Sequence, residues 1–155
     1  MSLRKFSIKT LSTCFYIGYL PFIPGTFASI AGIFLFYLIK GSIFIYILVT
    51  LVFIFLGLLV AGRAEKIFNQ EDAKCIVIDE ISGMLLAFMF IPYDIRLVVI
   101  SFILFRILDT FKPYPAGAIH DTKGSIGIMG DDIVAGLYTK IILQIVLRLA
   151  SFKAS

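Results

Sequence analysis

The chain of 155 residues contains no tryptophan, one histidine and two cysteines, and only 15% of its residues are charged. A single histidine excludes a zinc site built from several histidines and a phosphatase mechanism that uses two. Cys14 and Cys75 form no C-x-x-C pair, so neither a disulfide framework nor a redox motif is indicated. The sequence also lacks G-x-S-x-G, the signature of many serine hydrolases.

Apolar residues are abundant instead. They make up 60% of the chain, including 16 phenylalanines, and the mean hydropathy is +1.03, whereas soluble domains are about 45–50% apolar. The length corresponds to one domain, so we expect residues 1–155 to form a single integral membrane domain. The net charge of +4 comes from scattered bases, which suits anionic lipid headgroups and gives no indication of nucleic-acid binding.

The apolar runs predict an all-α fold, a small polytopic membrane helix bundle with four to five membrane helices and short or interfacial additional helices. Ile43 to about Ala61 is the clearest span, because about 19 uncharged residues nearly match the ~20 needed to cross the hydrocarbon. Further helices are predicted at Pro24–Ile39, Ile76–Ile91, Ile95–Phe111 and Asp132–Leu149, with an interfacial helix within residues 1–23 and a loop rich in proline and glycine over residues 112–131.

Most lysines and arginines fall on the side of the bilayer that holds the N-terminus, which the positive-inside tendency assigns to the cytoplasm. The same arrangement gathers five carboxylates on that side. A charge at bilayer depth costs at least ~2.5–3.5 kcal/mol and usually marks a functional site. We therefore predict a hydrated catalytic or ion site at the cytoplasmic face, built from Asp79, Glu80, Asp109, Asp131 and Asp132.

The segment FRILDTFKPYP (105–115) combines two cations with one acid. Arg106, Asp109 and Lys112 are spaced by three, which places them on one helix face. They could form a salt-bridged helix end whose basic side chains reach the headgroups. They could equally form a phosphate clamp, in which Arg106 and Lys112 bind phosphate while Asp109 binds a metal. The residues alone leave both interpretations open.

Two other motifs place acids near predicted helix starts. Asp131 and Asp132 follow a glycine-rich stretch whose amides could hold phosphate, and adjacent carboxylates suit Mg²⁺; the simpler interpretation is helix capping. Asp79 and Glu80 open another apolar run, where they could complement the helix dipole or bind a metal.

The segment PFIPGTFAS (21–29) begins the first long apolar helix. Its hydroxyl groups, on Thr26 and Ser29, lie at a helix start, which is either a simple cap or a phosphate site. His120 falls in the predicted loop. As a lone histidine it is more often a solvated side chain than a general acid.

In this order, PGTFAS (24–29), Asp79-Glu80 with Gly83, FRILDTFKPYP (105–115) and GIMGDDIVAG (127–136) resemble the phosphatidylglycerophosphatase A family. The resemblance implies a membrane enzyme that uses Mg²⁺ to convert phosphatidylglycerophosphate to phosphatidylglycerol and inorganic phosphate. We expect it in the bacterial inner membrane, with its active site facing the cytoplasm.

The family's acidic and basic motif positions carry over onto seven residues of this chain, and none onto His120. We expect the acids to be catalytic and to hold Mg²⁺, and the basic residues to bind the substrate phosphate together with two hydroxyls. The acids are Asp79, Glu80, Asp109, Asp131 and Asp132; the phosphate-binding residues are Arg106, Lys112, Thr26 and Ser29.

Three other functions are open to the residues themselves. A cation channel or transporter could line its path with acids, although here they gather on one side rather than at the midplane. A lipid phosphotransferase with a nucleotide-linked donor would also need several aspartates and Mg²⁺, but its spaced Asp-Gly…Ala-Arg…Asp…Asp pattern is missing. A non-enzymatic scaffold would leave the costly charges without a role. The residues are compatible with either water or an aspartate as the nucleophile, and they indicate no particular oligomeric state.

Overall fold

A computed structural model describes the backbone of residues 3–153 and the side chains of residues 3–149. Over that part of the chain the protein is all-α, with no strand, which confirms the predicted fold class. The helices are α1 (Leu3–Ser12), α2 (Pro24–Ile39), α3 (Ile43–Phe68), α4 (Ile78–Phe88), α5 (Ile95–Phe111), α6 (Ala116–His120) and α7 (Ser125–Lys153), with a 3₁₀ turn at Ile17–Tyr19.

The bounds of α2 and α5 match the prediction, and α1 supplies the helix expected near the N-terminus. Helix α3 continues past the predicted end at Ala61 to Phe68, because Arg, Glu and Lys are good helix formers that can remain exposed. The run predicted to be helical over Ile76–Ile91 is shorter, since α4 ends at Phe88 and Met89 is already extended. Pro92 follows closely and disfavours helix at the residue before it.

The loop predicted for residues 112–131 is wrong over much of its length. Helix α6 forms within it, and α7 begins at Ser125 rather than at Asp132. Gly124, with φ of 74°, directly precedes α7, and a Cβ at Gly127 would lie 2.0 Å from the carbonyl oxygen of Thr122. The glycines therefore permit a turn and close packing. Asp131 and Asp132 lie inside a helix and cap nothing.

The expectation of four to five membrane spans is not confirmed. Within residues 3–153, α3 is the one helix that is long and apolar enough by length and composition to cross a membrane, while α2 is apolar but shorter.

Helix α4 lies at the centre of the bundle and packs against α2, α3, α5 and α7. Ten of its eleven residues are buried. It crosses α7 very closely: a Cβ at Gly136 would lie 2.3 Å from the carbonyl oxygen of Gly83, and one at Gly83 would lie 2.7 Å from that of Asp132. Asp79 and Asp132 each precede one of these glycines by a helical turn. The glycine crossing therefore brings the two acids together.

Aromatic contacts hold the opposite end of the bundle. The Tyr46 hydroxyl donates to the carbonyl of Leu85, and the Tyr93 hydroxyl donates to the carbonyl of Lys40 at 2.5 Å. Phe36 stacks on Phe88 with ring centroids 4.7 Å apart. With this end fixed, the starts of α2, α4 and α7 meet the ends of α3 and α5 at the other end, where the charged residues lie.

Candidate active site

Three carboxylates from two helices converge at the charged end of the bundle. Asp79 and Glu80 lie in the first turn of α4, and Asp132 lies in α7. One oxygen of each falls within 4.8 Å of the others. Asp79 and Asp132 are only 8% and 3% exposed. The carboxylate of Asp109, near the end of α5, is close enough to that of Asp132 for a hydrogen bond between them.

Burial and mutual repulsion make it costly for these carboxylates to be ionised together without a cation. Oδ1 of Asp79 and Oε2 of Glu80 are buried and have no hydrogen-bond partner within the described part of the chain. Buried polar atoms are nearly always satisfied. A hard divalent cation, which takes carboxylate oxygens as ligands, would satisfy both atoms.

The start of α2 lies directly on this cluster. A Cβ at Gly25 would be 2.2 Å from Glu80 Oε1 and 3.4 Å from Arg106 Nη1. Arg106 Nη1 lies 2.8 Å from Asp109 Oδ2, but the two are not aligned for a hydrogen bond, and the nitrogen is buried without a partner among the described residues. Arg106 is thus ion-paired with Asp109, while its Nη1 makes no well-aligned hydrogen bond beside the carboxylates.

A pocket of about 300 Å³ opens onto these groups. Asp79, Glu80 and Arg106 line it, together with Thr26, Lys74 and the apolar pair Phe22 and Ile23, among others. Of the two hydroxyls expected to bind phosphate, that of Thr26 belongs to a residue lining the pocket. Ser29 is fully buried, its hydroxyl donates to the carbonyl of Gly25 at 2.9 Å, and it is not part of the pocket lining.

Asp131 belongs to a second group of charges beside the first. Lys112 Nζ donates to Asp131 Oδ2 and lies 2.8 Å from His120 Nδ1, which is 2.9 Å from the same carboxylate oxygen. The other oxygen, Oδ1, accepts from the backbone N–H of Asp132 at 3.0 Å.

Lys112 follows the last residue of α5 and remains a cation in this group. Burial disfavours its ammonium form, but the hydrogen bond to Asp131 and the charges of Asp131, Asp109 and Asp132 outweigh that effect and raise the pKa of Lys112. The lysine therefore neutralises Asp131. The structure thus separates the charged residues predicted for the site into a carboxylate cluster with Arg106 and a lysine–aspartate–histidine group.

Sequence reasoning missed three residues here. Nothing assigned a role to His120, although a lone histidine between Lys112 and Asp131 in the chain was a usable signal. Gly25 lay inside a quoted motif, but its contact with Glu80 depends on how α2 packs. Lys74 lies in the connection before α4, and only the folded chain brings it to the same pocket as Arg106.

A larger, open cleft of about 720 Å³ lies between the end of α3 and the segment that leads into α7. His120 lines this cleft, and Asp72 lines both cavities. Helix α3 is tied to α7 at this point, since the backbone N–H of Gly62 donates to Ser125 Oγ at 2.8 Å.

The fold and the site define a helical protein with buried carboxylates and cations gathered at one end of its bundle, a set of groups suited to phosphate chemistry. The family model for phosphatidylglycerophosphatase A matches residues 10–147. The chain therefore belongs to the phosphatidylglycerophosphatase A family and is a hydrolase of that family, as its motifs indicated.

Two relatives cover most of the chain. The phosphatidylglycerophosphatase A of Escherichia coli is 36% identical over 139 residues, which is 88% of this chain and 81% of that protein. The "Putative phosphatidylinositol-3-phosphatase" of Bacteroides thetaiotaomicron is 33% identical over 144 residues, 87% of this chain and 90% of that protein. No solved structure is significantly similar to the chain.

Proposed function

We propose that this protein hydrolyses the terminal phosphate of phosphatidylglycerophosphate, giving phosphatidylglycerol and inorganic phosphate in phospholipid biosynthesis. One observation carries the proposal: Asp79, Glu80 and Arg106 line one small pocket, and each holds a buried side-chain atom that has no hydrogen-bond partner among the described residues. Family membership and the E. coli relative support the phosphatase reaction. They also favour it over transport of cations and over phosphotransfer from a nucleotide-linked donor.

Mg²⁺ is the cofactor in this proposal. Asp79, Glu80 and Asp132 would hold it, because their converging hard oxygens fit its ligand preference, with Asp109 beside them. When bound, Mg²⁺ supplies positive charge for the phosphate oxygens and Lewis acidity at the reacting centre.

The chain's own cations act on the phosphate. Arg106 lines the pocket, its Nη1 makes no well-aligned hydrogen bond among the described residues, and a planar guanidinium suits phosphate oxygens. Thr26 and Lys74, which line the same pocket, would complete the contacts. Lys112 is already paired with Asp131. Its role in the phosphate clamp is therefore indirect: it holds the Asp131 carboxylate in place beside that of Asp132.

We further propose that the protein spans the bacterial inner membrane several times, with the pocket at the cytoplasmic face. Large apolar side chains are exposed along α2, α3, α5 and α7, including Phe34, Phe44, Ile103 and Ile145. Apolar surface on this scale is typical of contact with lipid. The charged end of the bundle would then lie at the headgroups and the Tyr93 end at the other surface.

The Bacteroides relative supports a second candidate substrate class, a phosphoinositide, because it matches this chain about as well as the E. coli protein. The two candidates share a phosphate monoester on a lipid headgroup. They differ in the alcohol that leaves.

The test is release of inorganic phosphate by the purified protein in detergent, with and without Mg²⁺, from phosphatidylglycerophosphate, phosphatidylinositol 3-phosphate and phosphatidic acid. We expect Mg²⁺-dependent release that favours phosphatidylglycerophosphate. Preference for the phosphoinositide would establish the second candidate. Folded protein that releases phosphate from none of the three lipids would refute both.

A further inference from the structure

The pocket over the carboxylates has two chemically different walls. Its floor holds Asp79, Glu80 and Arg106, whereas Phe22 and Ile23 form an apolar part of the lining. Both apolar side chains are exposed, Phe22 to 97% and Ile23 to 54%. A free phosphate ion would contact only the charged residues. A ligand that complements both the charged and the apolar residues has a phosphate at one end and hydrocarbon at the other.

Phe22 is held in an unusual backbone conformation. Its φ is 74°, in the left-handed region that glycine adopts readily and that costs energy for a bulky side chain. The chain nevertheless carries a phenylalanine here, with almost no contact to the rest of the protein. Such a residue adds nothing to the core, so its side chain is available for a ligand.

The apolar wall continues beyond the pocket along α2. The side chains of Ile23, Phe27, Ile30, Phe34 and Leu38 are all exposed. Their spacing of three or four residues places them on one helix face. This stripe starts at the pocket mouth and runs the 16 residues of α2, about 24 Å at the usual helical rise.

We propose that Phe22 and Ile23 bind the acyl-bearing glycerol end of the lipid substrate, and that its chains follow the α2 stripe. The inference rests on the proposed function and adds a selectivity to it: the enzyme takes a membrane lipid phosphate from the side and discriminates against the same phosphate group on a water-soluble alcohol. Phe22 is then a specificity-determining residue.

The experiment compares Phe22→Gly with Phe15→Gly. Phe15 is also a phenylalanine in the segment before α2, is 77% exposed and has φ of 54°, but it does not line the pocket. Glycine is favoured at both positions by the positive φ, so neither variant should lose stability. The readouts are kcat/KM on long-chain phosphatidylglycerophosphate in mixed micelles and the inhibition constant of its deacylated headgroup.

We expect Phe22→Gly to lower kcat/KM on the lipid roughly tenfold, because partial burial of a phenylalanine is lost, while the inhibition constant of the deacylated headgroup stays the same. Phe15→Gly should change neither value, and Phe22→Leu should restore most of the lipid activity.

Three results would overturn the inference alone: an unchanged kcat/KM in Phe22→Gly, an equal loss in Phe15→Gly, which would indicate general membrane anchoring, or weaker inhibition by the headgroup, which would indicate a distorted phosphate site. Unmodified protein that releases no phosphate from the lipid would instead overturn the proposed function, and this inference with it.

Discussion

Asp132 is a buried acid whose proposed role in the site would come at the expense of stability. Its carboxylate is 3% exposed, lies within 4.8 Å of two others and is next to Asp109. Residues that repel each other in the folded state persist where function needs them. In the absence of a cation, a neutral amide at this position should be easier to accommodate than the acid.

We predict that Asp132→Asn lowers phosphate release by at least about 10²-fold, since the proposed site loses one of the carboxylates that would hold the metal. Its melting temperature in Mg²⁺-free detergent solution should be equal to or above that of the unmodified protein. Asp94→Asn is the matched control, because Asn caps a helix as well as Asp and Asp94 caps α5 far from the pocket. Normal turnover in Asp132→Asn would remove Asp132 from the site.

Lys112 and Asp131 should behave as one unit. Removing the lysine leaves a buried carboxylate with His120 as its remaining side-chain partner, so Lys112→Met and Asp131→Asn should each lower thermal stability. The double variant should lose less than the sum, with a coupling of roughly 1–3 kcal/mol. A melting-temperature cycle of the four proteins measures this, and strictly additive losses would show that the contact is energetically unimportant.

The acids, the arginine and the lysine of the candidate site could be selected from the sequence, because charge in an apolar chain is conspicuous. The sequence could not show which of these residues contact one another in the fold. Asp131 and Asp132 are adjacent in the chain, yet the first turns to Lys112 and the second to Asp79, since neighbours on a helix point in different directions. Likewise Thr26 and Ser29 are one turn apart, and only their packing separates a pocket residue from a buried one.

At the scale of the helix, glycines set the distances on which the site depends. The cost in stability of replacing a glycine by alanine depends on which atoms the new Cβ would contact. At Gly136 the obstacle is the Gly83 carbonyl, which belongs to the backbone of α4, whereas at Gly25 it is the end of a glutamate side chain.

We predict that Gly136→Ala moves α7 away from α4, lowering stability by roughly 1–3 kcal/mol and reducing turnover as well, because Asp79 and Asp132 separate. Thermal melting and phosphate release would be measured on the same sample. Unchanged melting would mean that the helices do not cross at these glycines.

Gly25→Ala should lower turnover without lowering stability. The Glu80 carboxylate can swing away from the new methyl group without moving any backbone, so the fold should survive while turnover falls by roughly 10²-fold and more Mg²⁺ is needed for half-maximal rate. Gly41→Ala is the control, since a Cβ there meets nothing within 4 Å. Equal turnover in both variants would contradict the contact between α2 and Glu80.

Helix bounds could be predicted where charged residues or prolines interrupt the apolar pattern, as at α2 and α5. The start of α7 could not be predicted in this way. Gly124, Gly127 and Gly130 indicate a loop locally, but packing against the preceding segment overrides that preference: Gly127 contacts the Thr122 carbonyl, and Gly130 contacts the Ile119 side chain. A single sequence does not show which glycines lie in tertiary contacts that are too close for a Cβ atom.

At the scale of the whole molecule, the proposed membrane arrangement places Gly41, between α2 and α3, and Asp121, after α6, at opposite ends of the bundle. In a background with Cys14 and Cys75 replaced by serine, Gly41→Cys should react with a membrane-impermeant thiol reagent on intact cells. Asp121→Cys should react only after the cells are opened. Labelling of both from the same side would refute the arrangement.

The carboxylates, Arg106, Lys112 and His120 all come from the second half of the chain, after the exposed connection near Asn69. The first half contributes Gly25, Thr26 and the apolar wall around Phe22. In the proposed function, the charged groups of the reaction thus lie in one contiguous stretch and the residues that would contact the lipid chains in another. A chimera that takes the first 68 residues from a relative with another acyl-chain preference should adopt that preference while the charged residues of the site stay the same, so chain selectivity could change in this family by recombination at a single junction.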